Sequence, residues 1–147
     1  MLNFRDQGDE LSYCGQINPA QVAELAAAGY RSIICNRPDS EEGAIASAAI
    51  AKAASDHGMA FVYQPVEFSK LSLADGEAFV QALDTLPTPT LAYCKTGRRS
   101  AALWALGRAP RLGMEQVLAG SKASGCDLEE LRPRLAGMPA VRNDAAR

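Results

Sequence analysis

Along the 147-residue chain, short apolar runs alternate with segments whose apolar residues recur at helical spacing. That alternation predicts a central sheet flanked by helices. Asn18 followed by Pro19 has the form of an N-cap and a first-turn proline. Val22, Leu25 and Ala26 give one apolar face and Gly29 a left-handed stop, so a first helix is expected near 19 to 28. Arg31-Ser-Ile-Ile-Cys-Asn36 is short, β-branched and mostly apolar, the pattern of a buried strand, and it ends at Arg37-Pro38-Asp39. Ser40 is expected to open an Ala-rich helix that Gly58 closes. Ala60-Phe-Val-Tyr-Gln64 reads as a second inner strand, stopped by Pro65. Ser72 and Asp75 stand in capping-box spacing before Phe79, Val80 and Leu83, which predicts a helix over 73–84. Beyond Pro87 and Pro89, Thr90-Leu-Ala-Tyr93 is a third strand. The segment Ser100-Ala-Ala-Leu-Trp-Ala-Leu106 is strongly helical, with Gly107 expected near its end. Two more helices are expected, one around 114 to 119 and one opened by Asp127 with Glu130 in capping-box spacing. Residues 139–147 are expected to fray.

Composition narrows the class. The length suits one domain spanning 1–147, and 48% apolar with 22% charged residues is ordinary for a globular protein. Fifteen basic against seventeen acidic side chains leave a formal charge of -2, so no long-range field draws the chain onto nucleic acid or anionic lipid. The start, Met-Leu-Asn-Phe-Arg-Asp, lacks the form of a signal peptide, and no apolar stretch reaches the roughly 18 residues of a membrane span. A cytoplasmic protein is expected. Cys14, Cys35, Cys94 and Cys126 are far apart and form no C-x-x-C pair, which suggests neither a zinc site nor a local dithiol. All four are expected to be free thiols, with no metal and no cofactor.

The chemistry concentrates between the third strand and the helix after it, in Cys94-Lys-Thr-Gly-Arg-Arg-Ser100. A strand, a short loop holding Gly97 and a helix starting near Arg99 aim main-chain N–H groups and the positive end of the helix dipole at one point. That point suits an anion. Cys94 at the strand's carboxyl end faces it, where dipole and guanidinium groups favour thiolate over thiol. An arginine fork, from Arg99 with Arg98 as a second candidate, can grip two oxygens of an oxyanion. Lys95 and Thr96 complete the loop, and Ser100 is placed to hydrogen-bond the thiolate or stabilise it as a leaving group.

With those residues in view, the chain resembles the bacterial beta-lactamase hydrolase-like protein, phosphatase-like domain family. That family is also described as sulfur transferases and is related to the dual-specificity protein tyrosine phosphatases. The resemblance runs through Tyr13-Cys-Gly-Gln16, Leu25-Ala-Ala-Ala-Gly-Tyr30, Ile33-Ile-Cys-Asn-Arg-Pro-Asp39 and Tyr93-Cys-Lys-Thr-Gly-Arg-Arg-Ser-Ala-Ala-Leu-Trp104. It implies a protein tyrosine phosphatase-like α/β fold, with a mostly parallel sheet of four or five strands between helices, and Cys94 as nucleophile. Relatives joined to metallo-β-lactamase-like domains make a hydrolase of that kind an expected partner, although the chain carries none of that domain's histidine-rich metal motif.

Spacing separates two activities. Tyrosine phosphatases are known for Cys, five residues, then Arg, which would place arginine at 100, where Ser100 stands. Here Cys94 to Arg99 encloses four residues, as in the active loop of rhodanese sulfurtransferases. The common phosphatase His before the cysteine is replaced by Tyr93. A phosphatase also needs an acid for the leaving oxygen, and Glu67 is the candidate, since Asp75 is already explained as the capping partner of Ser72. Arg37 is expected either to line the same crevice or to pair with Asp39 or Glu41. His57 suits the C-terminal end of its helix, Cys35 the core, and Trp104 the core or an interface. The leading expectation is sulfur transfer through a Cys94 persulfide on a small anionic substrate. The alternative is phosphate-ester hydrolysis through a phosphocysteine on the same loop, and the third is a non-catalytic anion-binding or partner-docking module.

Overall fold

The computed structural model describes residues 5–6 and 10–137. The expected fraying of 139–147 lies outside the described residues. Five strands form one sheet: β1 (Arg5–Asp6), β2 (Leu11–Cys14), β3 (Ser32–Cys35), β4 (Ala60–Tyr63) and β5 (Thr90–Tyr93), in the order β1-β2-β5-β3-β4. β2, β5, β3 and β4 run parallel, and β1 adds an antiparallel edge on β2. The expected protein tyrosine phosphatase-like α/β architecture is what forms. The helices are α1 (Pro19–Ala27), α2 (Ser47–Asp56), α3 (Leu73–Thr85), α4 (Arg98–Leu112), α5 (Met114–Ala123) and α6 (Arg132–Ala136).

Strand alternation feeds two cores. Cys14, Ile33, Cys35, Leu91 and Tyr93 pack with Val22, Leu25, Ile50 and Ala54 of α1 and α2. Leu11, Tyr13, Ile34 and Ala92 pack with Phe79, Leu83, Leu103, Trp104 and Val117 of α3, α4 and α5. Because the central strands are buried on both faces, they read as continuous apolar runs. Strand β2 was not foreseen: the polar Ser12 interrupts the apolar run of Leu11-Ser-Tyr-Cys14.

Three boundaries differ from expectation for identifiable reasons. Helix α2 begins at Ser47, not Ser40. Gly43 has a φ of 82°, in the left-handed region, and the Asp39 carboxylate accepts from Ser47 N at 2.7 Å and Ser47 Oγ at 2.8 Å, so the helix start is capped from a distance. Helix α4 does not end near Gly107 but runs through it to Leu112. Gly107 is there for packing: a Cβ on it would lie 2.3 Å from Gly76 O of α3, and one on Gly76 would lie 2.6 Å from Gly107 N. The two helices cross backbone to backbone. After α5, Asp127 accepts from Glu129 N at 3.0 Å and opens a single 3-10 turn over Glu129–Leu131, followed by the short α6. The capping boxes Asn18/Gln21 and Ser72/Asp75 are both formed. No helix of the described residues is long and apolar enough to cross a membrane.

Candidate active site

Register places the carboxyl ends of four parallel strands in one row. Cys14 of β2, Tyr93 of β5, Cys35 of β3 and Tyr63 of β4 are neighbours in turn. Loops leaving that row must gather on one side of the sheet, where ligands of open α/β folds bind. They bring together Gly15-Gln16, Asn36 to Glu42, Gln64 to Glu67, and Cys94 to Gly97.

Cys94 is fully buried, and the Gly97 N–H donates to its Sγ at 3.0 Å. Gly97 makes this turn with a φ of 95° and is the N-cap of α4. Among the described residues, the main-chain N–H groups of Lys95, Thr96, Arg99 and Ser100 have no protein acceptor. The last two are free first-turn donors of α4, which carry the positive end of its dipole. Gly15 lets the next loop close on this one: a Cβ there would lie 2.7 Å from Lys95 O, and Gln16 N donates to that carbonyl at 3.3 Å. The Gly-Gln motif thus supports the back of the cysteine loop.

The two arginines part company. Arg99 is buried and turns into the site. Its Nη1 and Nη2 grip the two oxygens of Glu41, with Nη2 to Oε1 at 2.9 Å, and Nη1 also donates to Val66 O at 2.9 Å. Its pKa is raised, first by the Glu41 hydrogen bond and further by the charge of nearby Cys94. Arg98, expected as a second anion ligand, turns the other way. It donates to Asp127 O at 3.0 Å, pairs with Glu130 at 2.8 Å and stacks over Phe68 at 5.3 Å from the ring centroid. Helical geometry forces this, since adjacent residues project about 100° apart.

Ser100 is fully buried, and its hydroxyl donates to Asn36 Oδ1 at 2.8 Å, which takes its proton away from the sulfur. Asn36 Nδ2 in turn donates to Gln64 O at 3.0 Å, so this amide ties α4 to the ends of β3 and β4. Lys95 and Thr96 are exposed at the crest of the loop. Glu67 is largely exposed, its carboxylate 3.7 Å from Lys70. It lines a cavity of about 350 Å³ with Pro38, Pro65, Val66, Lys70 and Asp75. The neighbouring Val66 carbonyl holds Arg99, so the Glu67 loop is stitched to the cysteine loop.

Arg37 does not reach into the crevice as an anion ligand. It pairs with Glu41 at 3.0 Å, one of the two partners foreseen, while Asp39 is spent on capping α2. Glu41 is the residue of this cluster whose place the sequence did not show. Its i,i+4 spacing from Arg37 was visible, whereas its pairing with Arg99, 58 residues away, exists only in the fold. Two arginines, Arg99 foremost, hold its carboxyl below the usual carboxylate range.

The other cysteines are set apart from Cys94 by their surroundings. Burial, with Cys94 adding, pushes the Cys14 thiol up to about 12, and burial raises Cys35, so both stay protonated at neutral pH. Cys126 sits in the α3–α5 core. Tyr93, in place of a histidine, is fully buried, and burial next to Cys35 pushes its phenol up, so it brings no cation to the loop. His57 is the C-cap residue of α2, away from the site.

The sequence of residues 3–111 matches the family described as beta-lactamase hydrolase-like protein, phosphatase-like domain. The chain belongs to that family. A beta-lactamase hydrolase-like protein from Xylella fastidiosa is 36% identical over 133 residues, covering 86% of this chain and 30% of the relative. One from Agrobacterium fabrum is 34% identical over 123 residues, covering 82% and 28%. The chain therefore spans about a third of the length of these family members. A candidate phosphatase from Neisseria meningitidis, known from its crystal structure, superposes with a TM-score of 0.79 at 33% identity over 88% of this chain and 94% of that one. Pseudomonas aeruginosa TpbA, with a TM-score of 0.69 at 16% identity over 94% and 86%, shares the fold. So does kinase associated phosphatase, with 0.64 at 15% over 95% and 97%. These likenesses favour the phosphatase-like alternative over the sulfurtransferase reading that the short loop suggested.

Proposed function

We propose that this phosphatase-like domain hydrolyses phosphate monoesters through a phosphocysteine on Cys94. The observation that carries the reading is the convergence of the Cys94 sulfur, the unpaired loop amides and the Arg99 guanidinium on one end of the sheet. The Cys94 thiolate attacks phosphorus, the S–P bond forms as the P–O bond to the alcohol breaks, and water then attacks phosphorus to release phosphate and return the thiolate. The equatorial oxygens gain charge during both transfers, and fixed amides with Arg99 meet it without reorganisation. Because Cys94 exposes no surface, the crest residues Lys95 and Thr96 have to yield for substrate to reach the sulfur.

Glu67, on the loop after β4, is the candidate group for protonating the departing oxygen. It is exposed to solvent and paired with Lys70, so leaving groups that need little protonation are the better substrates. Aryl phosphates are the class to assay. Turnover of p-nitrophenyl phosphate that is lost in Cys94→Ser supports the proposal, and turnover equal to wild type in that variant refutes it.

Sulfur transfer stands as a second reading because of one specific feature, the four residues between Cys94 and Arg99, which close a tighter ring of donors. A Cys94 persulfide needs no acid for its thiolate or sulfite leaving group. Incubation with thiosulfate followed by intact mass decides it: a gain of one sulfur atom on Cys94, with no phosphatase activity, reverses the assignment.

A further inference from the structure

Two of the chain's motifs, Gly15-Gln16 and Asn36-Arg37-Pro38-Asp39, contribute side chains that do not contact Cys94 yet are held in fixed positions beside it. Arg37 is 5% exposed, and all three of its nitrogens are engaged. Nε donates to Glu41 Oε1 at 3.0 Å, Nη1 to Gln16 Oε1 at 3.0 Å and Nη2 to the Glu42 carbonyl at 2.8 Å. Glu41 in turn holds both terminal nitrogens of Arg99, and Val66 O takes the other Nη1 hydrogen.

A guanidinium has five N–H donors in one plane. These contacts use three of them in Arg99: the end edge, formed by Nη1 and Nη2, and the outer side of Nη1. What they leave is Nε–H and the second N–H of Nη2, the parallel pair on the side edge, which is the fork that accepts two oxygens of a tetrahedral anion. Cys94, at the start of the same loop, interacts favourably with this guanidinium through its charge.

We infer that Gln16, Arg37 and Glu41 form a positioning relay, in which Glu41 fixes the end of Arg99 so that its side edge faces Cys94, and Arg37 with Gln16 fixes Glu41. The inference rests on reading Arg99 as the oxyanion ligand, and it assigns to that step three residues that touch neither substrate nor sulfur. Charge balance explains the second arginine. A lone Glu41–Arg99 pair would be neutral and would offset the attraction of the loop for an anion. With Arg37 the group of three carries one net positive charge, so the anion still meets a cation while Arg99 stays oriented. Burying two arginines against one half-buried carboxylate is a poor route to stability, because desolvation offsets much of the Coulomb gain. Orientation is what the arrangement supplies.

The charged groups facing Glu41 are Arg37 from its own loop and Arg99 from α4. The test compares Arg37→Met, Glu41→Gln and Gln16→Leu with wild type, measuring kcat and KM for p-nitrophenyl phosphate across pH and the affinity for inorganic phosphate by calorimetry. A misdirected fork costs about tenfold to a hundredfold in kcat/KM for Arg37→Met and Glu41→Gln, with phosphate affinity falling in parallel. In Arg37→Met the acidic limb of the pH profile moves up toward the ordinary carboxylate range, since Glu41 has lost a cation, and in Glu41→Gln its contribution to that limb disappears. A purely structural role predicts lower melting temperatures with kcat/KM, phosphate affinity and acidic limb all at wild-type values, and that result overturns the relay. Should the two charge variants fail to fold, Gln16→Leu carries the test: a several-fold loss of phosphate affinity supports the relay and an unchanged affinity overturns it. Wild-type protein that binds phosphate without turning over the ester sinks the phosphatase proposal alone, with the relay then read from phosphate affinity. Wild-type protein that does neither sinks both.

Discussion

Arg98 and Arg99 are chemically identical neighbours with opposite destinations. Arg99 lies under the loop with Glu41 and Val66, and Arg98 lies over Phe68 with Glu130 on the outside. Their replacements should therefore separate cleanly. Arg99→Lys keeps the charge and loses the fork, so kcat/KM should fall by about a hundredfold or more, as when a preorganised oxyanion donor is removed. Arg98→Ala should leave kcat/KM within a few-fold of wild type and cost about 0.2–1 kcal/mol in a urea titration, the ordinary worth of a partly exposed pair. Equal kinetic damage from both would mean that Arg98 holds substrate after all. At this scale the sequence was informative about Cys94, Gly97 and Arg99, because strand, cysteine, glycine and helix stand in fixed order. It was not informative about Ser100 or Glu41. The hydroxyl's choice of Asn36 over the sulfur, and the carboxylate's choice of Arg99, are set by partners more than fifty residues distant.

Among the elements, α4 matters most, since it carries Arg99 at one end and packs on α3 along its length. The crossing is fixed by Gly76 and Gly107, whose backbones meet with no room for a side chain. Helix propensity alone says that Gly107→Ala should stabilise α4 by about 1 kcal/mol. Contact with Gly76 O says the reverse, because a methyl group at 2.3 Å from a backbone oxygen forces the helices apart. Overpacking of this kind costs about 1–3 kcal/mol, so the net effect should be destabilising, read as a lower urea midpoint at unchanged slope. A glycine inside a helical pattern looks like a stop when only one helix is in view. The same blindness to partners displaced the start of α2, where Asp39 caps from eight residues upstream, and hid β2, whose strand character comes from pairing with β1 and β5. Helices α1 and α3 were legible to within a residue at each end, because their N-caps act through neighbours in sequence.

For the molecule as a whole, the row of thiols and phenols across the sheet links stability to pH. Cys14 is raised to about 12 from an ordinary 9.0, mainly by burial, and Cys35 is raised for the same leading reason. A thiol that stays protonated in the fold but ionises in the unfolded chain contributes its full stability below the unfolded value and loses it as pH climbs toward the folded one. Stability should therefore decline with rising pH above about 9.0 and up to about 12, and Cys14→Ala should make that decline shallower. Urea midpoints measured through this window for both proteins check it, and identical slopes would show that Cys14 is not a linked group. Glu41 works at the opposite end: its lowered pKa makes its ion pairs stabilising above the ordinary carboxylate range and lost as pH falls through the folded value. Between the two limits the Gly97 amide stays turned to the Cys94 sulfur.

The proposed function turns on whether the Cys94 sulfur forms the covalent bond to phosphorus. Rapid acid quench of the protein during turnover of p-nitrophenyl phosphate, followed by peptide mass analysis, tests it most directly. A phosphoryl group is expected on the peptide containing Cys94, and none in Cys94→Ser. Ester turnover with Cys94 unmodified and a phosphoryl group on another residue, or no turnover together with a sulfur adduct from thiosulfate, would contradict it.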